Sequence, residues 1–252
     1  MLQALIFDVD GTLADTERDG HRIAFNMAFA DAGLDWHWDE ALYGELLAVT
    51  GGKERMTHFL KTHRPNEWTD TMPERIVQLQ AKKTEIYTQL LSQGKIPLRK
   101  GVERLIHEAR SAGLILAIAT TTTPANVTAL LTHTLGAQSI DWFEVIAAGD
   151  IVPAKKPAPD IYHYALEKMN LRASDCLAFE DSYNGVQSAT RAGIKTLITV
   201  NGYTQHDDFS PAAVVLSDFG EPNSPMQVLA GQMKGNYVDV AALRSLHARH
   251  IR

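Results

Sequence analysis

The chain has 252 residues, 24 Lys and Arg against 30 Asp and Glu, a formal net charge of −6 and one cysteine. That length can bury a large core, either as one α/β domain or as a core carrying a smaller insert, and the acidic balance without any Lys/Arg block argues against nucleic acid or an anionic membrane surface. A lone Cys176 forms no internal disulfide, no charged segment leads into an apolar signal-like run, and no apolar run reaches membrane-spanning length, so the expectation is a soluble, unexported protein of the cytoplasm.

In chain order, Ala4 to Phe7 is a short apolar run ending at Asp8, which suits a buried parallel strand emptying into a loop. From Thr16 to about Ser92 the pattern is helical throughout. Ile23, Met27 and Ala30 give the first helix a candidate buried stripe that stops near Gly33, and Pro73 opens a long helix whose stripe runs through Ile76, Leu79, Ile86 and Leu90 to Gly94. Strands are expected at Leu114–Ala119, Cys176–Phe179 and Lys195–Val200. Helices are expected at Val102–Ala112, Pro124–Leu135, Asp160–Met169 and Ser182–Ala192. This alternation predicts an α/β fold, a doubly wound parallel sheet with an inserted α-helical domain. The core is expected to be residues 1–15 and 98–252, and the insert 16–97. The stretch Ser217–Gly235, rich in Gly, Pro, Asn and Ser, is expected to be a loop before a terminal helix from Val238 to about His250.

Asp8 and Asp10, two positions apart at a strand end, project to the same side. Such a pair can divide labour, one carboxylate attacking as a nucleophile while the other exchanges protons, with a divalent cation relieving the crowding of charge. An isolated Asp-x-Asp is more often a solvated turn. Here the preceding strand and the following Gly11-Thr12 favour chemistry.

The run Asp8-Val9-Asp10-Gly11-Thr12 resembles the first motif of the haloacid dehalogenase superfamily of phosphotransferases. The resemblance implies a Rossmann-like core and three further motifs in order. Thr120, ending the second strand, would set a hydroxyl against a phosphoryl oxygen, with Thr121 beside it at a helix start. Lys156, in Lys-Pro-Ala-Pro-Asp, would hold nucleophile and phosphate together. Glu180 and Asp181 would complete a Mg²⁺ site with Asp8 and Asp10, Asp181 directly and Glu180 through a water. The second aspartate of the first motif, Asp10, favours phosphoryl chemistry over dehalogenation.

The insert falls where one branch of the superfamily carries a helical cap that closes over small substrates. Thr50-Gly51-Gly52-Lys53-Glu54-Arg55, together with Trp36-His37-Trp38-Asp39, Tyr43, Glu17 and Lys82-Lys83-Thr84-Glu85, is similar to the CbbY-type phosphatases, a family associated with clearing xylulose 1,5-bisphosphate, an inhibitor of Rubisco. The resemblance implies a small sugar bisphosphate as substrate, and the protein is expected to be a monomer. One phosphate would meet Asp8, Thr120, Lys156 and the metal. The other would be held by Thr50, Gly51, Gly52, Lys53 and Lys83, while Glu17 contacts sugar hydroxyls. A Gly-Gly turn and solvated helix faces are the plain alternatives for these positions. A phosphomutase and a broad-specificity sugar phosphatase are the competing activities. Mutases of the β-phosphoglucomutase kind place a cap histidine where Gly20 stands here, and His21 is one step further, rotated by about 100° on an α-helix. Gly44 stands where a more polar residue is expected.

Overall fold

The computed structural model describes residues 1–249. Seven strands form one sheet: β1 (Ala4–Phe7), β2 (Ile115–Thr120), β3 (Val145–Ala148), β4 (Cys176–Glu180), β5 (Lys195–Thr199), β6 (Val214–Leu216) and β7 (Val228–Gly231). Their order is β3-β2-β1-β4-β5-β6-β7, parallel through β6 and antiparallel only at β7. β1 lies inside the sheet between β2 and β4, and all four of its residues are apolar and buried, as a strand covered on both faces requires. Phe7 pairs with Ile118 of β2 and Phe179 of β4, so Asp8, Thr120 and Glu180 emerge together at the carboxyl edge. β1 returns to β2 on one side and has β4 on the other, a switch in strand order of the kind that opens a ligand crevice.

Between β1 and β2 come four helices of the insert, α1 (Arg22–Asp31), α2 (Glu40–Leu46), α3 (Gly52–His63) and α4 (Met72–Ser92). Phe25, Phe29, Trp36, Trp38, Tyr43 and Phe59 dominate a hydrophobic cluster that includes none of the strands. The 21 residues of α4 span about 30 Å, enough to serve two cores. Its Ile76 and Leu79 belong to the insert's cluster, whereas Ile86, Tyr87 and Leu91 pack with β1 and β2.

The remaining helices are α5 (Val102–Ser111), α6 (Pro124–Leu135), α7 (Asp160–Met169), α8 (Tyr183–Arg191) and α9 (Val240–Ala248). The period of two along β1 sorts them. Leu5 and Phe7 face α5, α6 and α9, while Ala4 and Ile6 face α7 and α8. Among the described residues no helix is long and apolar enough to cross a membrane.

Several expectations need correction. The stripe of Ile23, Met27 and Ala30 is not the buried face of α1: Met27 is 45% exposed, and Ala24, Phe25, Ala28 and Phe29 are buried instead. Two phenylalanines at i, i+4 bury more apolar area than the neighbouring stripe, and they set the rotation of the helix. β3 and β6, of four and three residues, were not expected at all. The segment expected as a loop over Ser217–Gly235 contains β7, whose four residues are all exposed and so carry no alternating pattern. The terminal helix begins at Val240 with Asp239 as its cap, and its expected end at His250 lies outside the described residues.

Candidate active site

Asp8 directly follows β1 and is buried. Lys156, from the loop between β3 and α7, donates to Asp8 Oδ1 at 2.7 Å, Glu180 Oε1 at 2.6 Å and the Ala119 carbonyl at 2.9 Å. Three acceptors match its three ammonium protons, so the lysine is fixed between two carboxylates. Tyr162 of α7 donates to the same Glu180 oxygen at 2.6 Å, and its ring lies 5.3 Å from the ammonium. Asp181 Oδ2 accepts from Asn201 at 2.6 Å. Gly11, at φ 87°, lies against Asp181 and Asn201 so closely that any side chain there would collide with them. Glycine at this position of the first motif is needed both for backbone and for space.

Asp8, Glu180 and Asp181 bring carboxylate oxygens within 4.8 Å of one another, all three residues buried. Burial pushes the Asp8 carboxyl up to about 7 against the pull of Lys156, with Glu180 and Asp10 adding repulsion. Asp181 is likewise raised, first by burial and then by Asp8 and Glu180. One lysine does not balance three carboxylates, and Glu180 Oε2 is buried without a hydrogen-bond partner. An all-oxygen, strongly negative donor set with an orphaned oxygen fits a hard divalent cation.

The Asp10 side chain is not part of that trio. Its Oδ1 accepts from Thr16 Oγ1 at 2.6 Å and faces His21 Nε2 at 2.7 Å. Burial works against its charge, yet His21 and then Thr16 hold the carboxyl well below the usual range. His21 reaches it because Glu17–His21 is one π-helical turn, closed by the Arg22 N–H to Glu17 carbonyl bond. A π turn accommodates one residue more than an α turn, which cancels the rotation expected from the sequence shift. A Cβ at position 20 would stand 2.6 Å from Ile96 and 2.8 Å from Tyr87, so no histidine fits there. The other ring nitrogen of His21, Nδ1, lies 2.7 Å from Lys83 Nζ. Lys83 is buried between the Phe25 and Tyr87 rings, and burial lowers its pKa to about 8. An ammonium at Lys83 makes Nδ1 an acceptor and leaves Nε2 to donate to Asp10.

Glu17 accepts a short hydrogen bond from Tyr43, whose hydroxyl in turn accepts from Arg55 Nη1 at 2.9 Å. Arg55 is anchored by the carbonyls of Leu46 and Val49. Thr50 Oγ1 accepts from Asn184 of α8 at 3.1 Å, and Lys53 pairs with Asp150 at 2.5 Å. Gly51, at φ 96°, caps α3, and the α3 start also carries Gly52.

Two adjoining cavities meet these groups. One of about 90 Å³ is lined by Asp8, Thr120, Lys156, Glu180 and Asp181. The other, about 750 Å³, is lined by Gly51, Gly52, Lys53, Lys83, Thr122 and Asp150. Asp10, Glu17, Arg55 and Thr121 line both. The fold thus gathers the strand-end residues around one small chamber and sets the glycine-lysine segment of the insert around the larger one. Tyr162, Asn201 and Asn184 had no sequence signal, because each acts across a contact between elements far apart in the chain.

A model of the haloacid dehalogenase-like hydrolases matches residues 2–193. The chain belongs to that family. Protein CbbY of Cupriavidus necator is 49% identical over 247 residues, covering 98% of this chain and 97% of that protein, and CbbY of Rhodobacter capsulatus is 51% identical over 211 residues, covering 84% and 91%. Among solved structures, a mutant CbbY from Rhodobacter sphaeroides in complex with xylulose-(1,5)bisphosphate superposes with a TM-score of 0.81 at 44% identity, over 86% of this chain and 95% of that one. Within the haloacid dehalogenase-like hydrolases the chain is therefore of the CbbY type, a phosphoric monoester hydrolase. β-Phosphoglucomutase from Clostridium difficile, 21% identical with a TM-score of 0.68, shares the fold.

Proposed function

We propose that this hydrolase converts xylulose 1,5-bisphosphate to xylulose 5-phosphate with Mg²⁺ as its metal, and that residues 16–97 act as a cap on a core of residues 1–15 and 98–252. The observation that carries the reading is the pair of adjoining cavities. One surrounds a buried carboxylate–lysine pair, the other is lined by Lys53, Lys83 and the glycine start of α3, and both share Asp10, Glu17, Arg55 and Thr121. A molecule with phosphate at each end suits that arrangement. The xylulose-(1,5)bisphosphate complex of the Rhodobacter sphaeroides relative supports it. The protein is further proposed to act as a monomer in the cytoplasm.

In this reading Asp8 attacks phosphorus, the bond from phosphorus to the sugar oxygen breaks, and Asp10 gives the departing alkoxide a proton that it takes up when the negative charge of the bound substrate raises its carboxyl from the low range held in the free protein. Thr16 and His21 bond Oδ1 of Asp10, which leaves Oδ2 to carry the proton. Lys156 keeps Asp8 aimed and, with Thr120, stabilises charge on the phosphoryl oxygens. Water then yields a proton to Asp10 and attacks the aspartyl phosphate, which releases inorganic phosphate and restores Asp8. A divalent cation held by Asp8, Glu180 and Asp181 would neutralise charge on the phosphoryl group and on the crowded carboxylates. Gly51, Gly52 and Lys53 are proposed to receive the second phosphate, Lys53 exchanging Asp150 for it, with Lys83 beside them, whereas Thr50 lines the smaller cavity with Asp8. Glu17 is proposed to meet the sugar hydroxyls.

Steady-state hydrolysis with Mg²⁺ across xylulose 1,5-bisphosphate, ribulose 1,5-bisphosphate and common sugar monophosphates tests the assignment. A clear preference for the first is expected, and equal rates across the panel would make the protein a broad-specificity sugar phosphatase. The contact of His21 with Asp10 is the one feature that favours a phosphomutase. One inorganic phosphate released per ester consumed excludes that reading, whereas an isomerised sugar phosphate would establish it.

A further inference from the structure

Lys155 and Lys156 are neighbours in one loop but serve opposite sides of the site. Lys156 is bonded to Asp8. Lys155 Nζ lies 2.9 Å from Glu54 Oε1 in the first turn of α3 and 2.9 Å from Asp150 Oδ1 of the core, with its side chain only 15% exposed. A Cβ built on Gly51 would stand 2.7 Å from that ammonium, so Lys155 packs directly on the glycine that caps α3. Asp150 also pairs with Lys53 at 2.5 Å. Lys53, Asp150, Lys155 and Glu54 therefore alternate in charge around the rim where the insert meets the core. An exposed lysine with a single partner contributes little, but this one is mostly covered and joins two segments more than ninety residues apart.

We propose that Lys155 is a positioning residue that fixes the separation between the reacting end of the site and the anion-binding start of α3, and so sets the preference for a substrate with two phosphates. This rests on the bisphosphate reading above and adds what holds the distal end in place. The physical basis is a short ruler. Consecutive Cα atoms are 3.80 Å apart, so Asp8 and Gly51 are both contacted from adjacent residues of one loop. Without Lys155 the first turn of α3 keeps its own hydrogen bonds and the Lys53–Asp150 pair but loses the Glu54 tie to the loop that carries Lys156, the tie that remains when Lys53 exchanges Asp150 for phosphate. A misplacement of about 1 Å can cost up to about a hundredfold in rate.

The test compares the full-length wild type, Lys155→Met and Lys155→Arg on xylulose 1,5-bisphosphate and xylulose 1-phosphate, which share the reacting ester and differ in the distal phosphate. In Lys155→Met the ratio of kcat/KM for the bisphosphate over the monophosphate falls about tenfold, chiefly through KM for the bisphosphate, and Lys155→Arg restores most of it. A ratio within about twofold of wild type, or equal losses on both esters, overturns the proposal. Glu54→Gln breaks the same tie from the insert and serves if Lys155→Met does not fold. Amide hydrogen exchange without substrate gives a second readout: residues 51–56 exchange faster in Lys155→Met than in wild type, and unchanged exchange overturns the proposal. Wild-type protein that treats the two esters alike would instead refute the bisphosphate reading, while the exchange measurement still decides whether Lys155 holds α3.

Discussion

His21 Nε2 lies 2.7 Å from Asp10 Oδ1, the same oxygen to which Thr16 donates at 2.6 Å. Thr16 and His21 flank the first turn of the insert, whereas Asp10 belongs to the loop after β1, so the carboxylate is oriented by the seated insert. His21→Ala is expected to lower kcat about 10- to 100-fold with little change in KM, since proton exchange at Oδ2 loses its alignment. Steady-state kinetics checks this. A variant altered in KM alone would contradict it.

Lys83 makes a prediction about stability. Burial lowers its pKa from 10.5 in the unfolded chain to about 8 in the folded protein. Between those values the unfolded chain binds more protons, so this lysine's contribution to stability rises as pH goes from about 8 to 10.5, and its full cost is present below pH 8. The shift corresponds to about 3 kcal/mol, offset in part by the His21 bond and the flanking rings. Lys83→Met should therefore be more stable than wild type at pH 7, with the advantage shrinking toward pH 10.5, and less active because His21 loses its donor. Urea unfolding at the two pH values measures the difference. A variant that is less stable at pH 7 would show that the hydrogen bond outweighs the burial.

Metal binding should depend on pH in a higher window than at a simple surface carboxylate site. Asp8 rises to about 7 and Asp181 rises as well, both first through burial. In metal-free protein the unfolded chain binds fewer of these protons between about pH 4 and 7, so stability falls as pH rises through that window. Mg²⁺ needs both carboxylates ionised, and its binding should release protons and tighten from pH 6 to pH 8. Calorimetric titration in buffers of different ionisation enthalpy reports both. Equal affinity and no proton release would contradict the prediction.

Tyr43 stands between Glu17 and Arg55, giving a hydrogen bond to the first and accepting one from the second. Tyr43→Phe removes one hydrogen bond each from the half-buried Glu17 and the buried Arg55, which keep their own 3.8 Å ion pair, and should cost about 1 kcal/mol of folding stability. If Glu17 meets the sugar, KM should rise several-fold while a simple aryl phosphate is hydrolysed as before. Thermal unfolding and kinetics on both esters test the two parts separately.

Legibility in the sequence followed the length scale of each signal. Asp8, Thr120, Lys156, Glu180 and Asp181 sit in contiguous motifs beside apolar strands, and the fold brings them to one sheet edge. The direction of the Asp10 side chain was not readable, because Thr16 and His21 turn it from the metal trio, and a π turn replaces the α geometry assumed for His21. Lys83 carried no mark of burial, since its cover comes from Phe25 and Tyr87 on a neighbouring helix and its own. Gly44, where a more polar residue was expected, faces the Tyr203 ring, which would lie 3.2 Å from an added Cβ. The missing strands were short or wholly exposed, so neither periodicity nor apolar run length could reveal them.

Acid quench of wild-type protein within the first turnover of xylulose 1,5-bisphosphate, followed by peptide mass spectrometry, tests the role of Asp8 most directly. One phosphoryl group should be found on Asp8, none should be found in Asp8→Asn, and Asp10→Asn should lose turnover with its fold intact. Ordinary hydrolysis by Asp8→Asn, or a phosphoryl group on any other residue, would contradict attack by Asp8.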